Sequence, residues 1–88
     1  MEHKNDVTVE VEYVGHHPWH HNFDADTTVN SVKVKAMTEG FGLEASAADK
    51  YALQYNGTDM PGDKAIGTYQ EHHMKTELIL IKEPNKGL

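Results

Sequence analysis

Only one stretch of this sequence, residues 28–40, is both long enough for a helix and apolar at helical spacing, and that limits the fold more than any other feature. Val29, Val32, Ala36 and Met37 fall at i, i+3, i+7 and i+8 on one face, while Asn30, Ser31, Lys35 and Thr38 turn to water. Thr28 is placed to cap the first turn with its hydroxyl, and Gly40 to end the helix as a left-handed residue. Val34 sits off the stripe and is stiff through its β-branch, so the helix depends on something packed beneath it. A single helix of this kind needs a sheet.

The sheet is written in period-2 alternation. Val7, Val9, Val11 and Tyr13 alternate with Thr8, Glu10 and Glu12. Gly15 and Pro18 break the run, and Trp19, His21 and Phe23 resume it against His20, Asn22 and Asp24, which predicts a hairpin. Asp24 and Asp26 then bring negative charge to the start of the helix. Residues 41–50 read as a loop with room for a helical turn. Tyr51, Leu53 and Tyr55 form a further strand, and Asn56-Gly57 is the strongest short-range hairpin dipeptide, predicting a short return strand through Met60. Pro61-Gly62-Asp63 is another turn, with Ala65, Ile66 and Tyr69 anchoring an irregular connection. Leu78, Ile79, Leu80 and Ile81 are apolar in succession, which belongs at the centre of a sheet or under a binding surface. The expected core is Val9, Val11, Phe23, Val29, Val32, Ala36, Leu53, Met60, Ile66, Leu78 and Leu80.

Strand, strand, helix, strand, short strand, strand predicts an α+β β-grasp outline: a mixed sheet of four to five strands with one helix packed across one face. One domain is expected over residues 7–82, with a disordered segment at 1–6 and a flexible tail at 83–88. The 88 residues suffice for a single modest core, burying about 60 to 65% of the unfolded surface. Without cysteine there is no disulfide, thiolate nucleophile or cysteine-ligated metal, and a cytoplasmic protein is the expectation. No apolar run approaches the roughly 20 residues of a membrane span. Fourteen acidic against eight basic side chains, a net charge of −6, argue against nucleic acid and anionic lipid as partners.

In order and spacing, these residues resemble ubiquitin and its relatives. Val9 and Val11, then Asp26-Thr27-Thr28-Val29 and Val32-Lys33-Val34-Lys35, are similar to the family's first strand, helix entry and helix. Leu53-Gln54-Tyr55-Asn56-Gly57, Met60, Gly62-Asp63, Ile66 and Tyr69 follow its strand, turn and buried anchors, and Leu78 and Leu80 take the core positions of its last strand. The resemblance implies that Tyr69 is a structural anchor. It also places the family's hydrophobic recognition patch at Val14, Gln54 and Ile81, with a polar residue, Gln54, at its centre. Ubiquitin ends in a diglycine that an activating enzyme adenylates, whereas this chain reads Asn85-Lys86-Gly87-Leu88. In that respect it resembles bacterial ubiquitin-like proteins whose tails carry a residue to be trimmed.

Seven histidines invite a metal reading. However, strand alternation sends His20 and His21 to opposite faces, and the β-grasp outline sets His72, His73 and His3 at the far end of the sheet from His16 and His17. No metal site or cofactor is therefore expected. Neither a Ser-His-Asp spacing nor a glycine-rich phosphate loop marks an active site, and the chain is not expected to be an enzyme. The first functional expectation is a monomeric bacterial ubiquitin-like modifier, activated through Gly87 once Leu88 is trimmed. Its protein partners (activating or conjugating enzyme, processing peptidase and targets) would be met through Val14, Gln54, Ile79 and Ile81. The alternative is a non-conjugated interaction module, possible also as part of a larger chain. A sulfur carrier would need the missing diglycine.

Overall fold

The computed structural model describes residues 6–70 and 74–83. Alternation in β1 (Asp6–Glu12) buries Val7, Val9 and Val11, and β2 (Trp19–Asp24) runs antiparallel beside it, with Val9 opposite His21 and Val7 opposite Phe23. After the helix come β3 (Tyr51–Tyr55), the two-residue β4 (Thr58–Asp59) and β5 (Thr76–Lys82). The five strands lie in the order β2-β1-β5-β3-β4, and β5 is parallel to β1 and antiparallel to β3. The doubly apolar run at 78–81 thus occupies the middle of the sheet. The β3–β4 turn takes Asn56 and Gly57 through positive φ of 54° and 81°, the backbone that this dipeptide favours.

The helix α1 (Val29–Lys35) starts where the Thr28 hydroxyl accepts the Ser31 N–H at 3.2 Å. Asp24 does not serve the helix dipole. Its carboxylate accepts the Asp26 N–H at 3.0 Å and closes the turn after β2, and the first helical turn carries no acid. The helix widens into a π turn at Ala36–Gly40, and the left-handed residue that ends it is Gly42, at φ 67°, rather than Gly40. Gly40 has a different purpose: a Cβ there would lie 2.7 Å from Trp19 Cγ, so only glycine lets the indole close over the helix end. The π turn also carries Phe41 beneath the sheet end, where its ring meets Tyr13 at 5.3 Å, and Tyr13 meets Tyr51 at 6.0 Å.

All eleven expected core residues are buried, together with Val7, Met37, Phe41 and Tyr51. The segment read as a loop contains a 3-10 turn at Ala45–Lys50, and another at Ile66–Tyr69 delivers Ile66 to the core. Tyr69 packs its ring on Tyr55 at 5.3 Å while its carbonyl accepts the buried Thr76 hydroxyl at 3.3 Å, fixing the connection into β5. Asp6 already belongs to β1, and the Glu83 N–H donates to the Lys50 carbonyl at 2.8 Å. The remaining parts of the expected unstructured ends, with His3, His72, His73, Gly87 and Leu88, lie outside the described residues.

Candidate protein-interaction face

One face of the sheet lies under α1; the other is built from the alternate residues. β1 contributes Thr8, Glu10 and Glu12 to it, β2 His20 and Asn22, β5 Glu77, Ile79 and Ile81, and β3 Ala52 and Gln54. Register decides which of these are neighbours. Ile79 has Gln54 on one side and Glu12 on the other, Ile81 lies beside Ala52, and Glu77 lies beside Glu10. The face therefore divides into an aliphatic corner at Ala52, Ile79 and Ile81 and an acidic half at Glu10, Glu12 and Glu77. Ile79 is 46% exposed, unusual for a large aliphatic side chain on a central strand.

Of the residues singled out in the sequence, Gln54, Ile79 and Ile81 share the outward face. The Gln54 amide donates to the Asp59 carboxylate on β4 at 2.8 Å, which ties the polar member of the group to the edge strand. Val14 is not on a strand: it sits in the turn after β1 and is 88% exposed. Sequence reasoning passed over Ala52, Glu12, Glu77 and the buried Glu10. The signal was available in the parallel pairing of first and last strands, which aligns the glutamates of β1 with the odd-numbered residues of β5.

Glu10 is nearly covered although it faces outward. Lys75 Nζ lies 2.7 Å from its Oε1 as an ion pair, and His20 Nε2 lies 3.4 Å from the same oxygen. Contact with the Lys75 ammonium, helped by His20 and opposed by burial, holds the Glu10 carboxyl below its ordinary range. Glu10 in turn raises the Lys75 ammonium, with further support from the charges of Glu77 and Glu12.

The described histidines disperse. His20 meets Glu10, His21 stacks on Trp19 on the helix side at 5.2 Å, and His16 stacks on Tyr13 at 5.0 Å. Among the described residues no three metal-capable side chains gather. A polar cleft of about 200 Å³ between α1 and β3 is lined by Asn30, Lys33, Asp49 and Asp59 among others. Lys33 is already committed there, donating to the Tyr51 carbonyl at 3.0 Å. No described helix is long and apolar enough to cross a membrane.

A five-stranded mixed sheet crossed by one helix is the ubiquitin-like β-grasp fold, and solved structures agree. A structure described as "Molecular Mimicry of SUMO promotes DNA repair" superposes with a TM-score of 0.71 at 11% identity, covering 91% of this chain and 95% of that one. A crystal structure of ATBAG1 in complex with HSP70 gives a TM-score of 0.69 at 16% identity, covering 90% of this chain but 41% of the other. This chain thus spans less than half of that longer protein. Among curated proteins none matches. The model of one family, BilA ubiquitin-like domain 2, matches residues 8–83. That span takes in the helix and all five strands but for the first two residues of β1, and the chain belongs to the BilA ubiquitin-like domain 2 family.

Proposed function

We propose that this domain is a bacterial protein modifier, activated through Gly87 after Leu88 is trimmed and presented to its enzymes by the outward sheet face. The observation that carries the reading is the exit of β5. Lys82 pairs with Tyr51 and the Glu83 N–H bonds Lys50, so the chain leaves the sheet next to Ala52 and Ile81. An enzyme holding the aliphatic corner thereby also meets the root of the segment that leads to Gly87. Terminal glycine suits activation because a side chain would obstruct the approach of the carboxylate to an ATP phosphate. In this reading the domain is a substrate of this chemistry and not itself an enzyme. This reading makes it a cytoplasmic monomer.

The test is ATP consumption with a ubiquitin-type activating enzyme from the same source. A chain ending at Gly87 should release pyrophosphate, the full chain should not until a peptidase removes Leu88, and Gly87→Ala should be markedly poorer. If the full and trimmed chains are equally inert, the modifier reading fails. A second reading, an interaction domain that is never conjugated, is favoured by the description of the family as a numbered domain and by the longer ATBAG1 chain. Mass spectrometry of the protein from its source separates the two, since only the modifier leaves an isopeptide remnant on lysine.

A further inference from the structure

The outward face carries a charge pattern that selects its occupant. The Lys75 ammonium and the His20 imidazole are both drawn onto Glu10. Glu12 and Glu77 are exposed, and no described cation lies within ion-pair distance of either. They border the aliphatic corner directly, because Glu12 is the β1 neighbour of Ile79 and Glu77 precedes Ile79 by two on the same face of β5. Lys75 feels the charges of Glu10, Glu77 and Glu12 together, so one ammonium sits amid three carboxylates and the local balance stays negative. Asp59, next to Gln54 in the register, adds negative charge on the opposite side of Ile79.

We propose that the partner of this face is a protein surface with an aliphatic centre, rimmed by lysine or arginine placed to meet Glu12, Glu77 and Asp59; this rests on the outward sheet face being the docking surface. Exposed Ile79 with Ile81 and Ala52 supplies a core for desolvation, and water excluded by that core strengthens the ion pairs around it. Other occupants meet repulsion. A second copy of the chain laid face to face would oppose glutamate to glutamate, and nucleic acid or an anionic bilayer would bring phosphate against the same carboxylates. Surplus acidic charge at the rim therefore acts mainly as a filter on partners and as a steering field for basic ones.

The test uses the full chain, isotope-labelled for amide NMR, and two short synthetic helical peptides with the same leucine stripe. One stripe is flanked by lysines and the other by glutamates. The lysine-flanked peptide should move the amides of Glu12, Ala52, Gln54, Glu77, Ile79 and Ile81, with affinity falling about tenfold as salt rises from about 50 to 300 mM. The glutamate-flanked peptide should leave them in place. Glu12→Lys combined with Glu77→Lys, both at exposed positions, should exchange the two preferences. The proposal is overturned if the lysine-flanked peptide moves no amides, if the two peptides bind alike, or if the perturbed amides map to α1 or the free edge of β2. None of these measurements involves Gly87. A failed activation assay with the peptide result intact removes the modifier reading alone, and the converse removes only the charge filter.

Discussion

The indole of Trp19 rests on Gly40 so closely that a Cβ at position 40 would meet Trp19 Cγ at 2.7 Å and Trp19 Cβ at 3.0 Å. The opposing atoms are the root of the side chain and not its mobile end, so they cannot swing away without moving β2. Gly40→Ala should lower stability by about 1 to 2 kcal/mol, the overpacking penalty less the gain from removing a helical glycine. Denaturant melts followed by Trp19 fluorescence measure this. With Trp19→Ala, which removes Cγ, the nearer of the two atoms, Gly40→Ala should cost less than it does beside the indole, read by circular dichroism because the fluorophore is then gone.

The Glu10–Lys75 pair predicts how stability depends on pH. Glu10 is lowered from its ordinary 4.5, so its contribution is complete above that value and is lost as pH falls through the folded-state value. Lys75 is raised from 10.5, so its share is complete below that value and disappears only as pH climbs past the raised one. Stability should fall on the acid side below about pH 4.5, and Glu10→Gln should flatten that limb. Urea melts of both proteins between about pH 3 and 7 read the difference. An acid limb of unchanged slope in the variant would remove Glu10 as its cause.

Replacing Val32 or Leu80 by alanine should cost about 2 to 4 kcal/mol, since both side chains are fully buried and face each other's layer of the core. Losses below about 0.5 kcal/mol at both positions would contradict a single core between α1 and the sheet.

Zinc in modest excess should leave the melting temperature unchanged. A specific site held at 100 times its dissociation constant would add about 2.7 kcal/mol, a shift that differential scanning fluorimetry resolves easily. A clear stabilisation that vanishes when His16, His17, His20 and His21 are replaced would overturn this expectation.

The core was legible because alternation in β1 and β5 and the 3.6-residue stripe of α1 are local patterns, each readable without knowing its neighbour. Phe41 and Tyr51 escaped as core members because their burial depends on a π turn and on an aromatic cluster with Tyr13, neither of which has a sequence signature. By sequence alone Gly40 has the signature of a terminator, because glycine after a helical stripe commonly is one. Its actual constraint comes from Trp19, distant in sequence. On the outward face, Gln54, Ile79 and Ile81 could be placed by alternation alone. Glu10 has the pattern of any solvent-facing glutamate, and only the approach of Lys75, just ahead of β5, and of His20 from β2 reveals that it is covered.

The parallel pairing of β1 with β5 also has a temporal side. On a ribosome, β1, β2 and α1 emerge early, but one edge of β1 stays open until residues 76–82 have been made. Val9 and Val11 then wait, half covered, for Leu78 and Leu80. Closing so long a loop is entropically slow, and contacts of this range set the pace of folding. The domain should therefore complete folding only near the end of its own synthesis. Any chain interrupted before β5 would offer an unpaired, valine-rich strand edge to its neighbours, which makes truncated products aggregation-prone and places the segment with the highest quality-control burden at the far end of the domain.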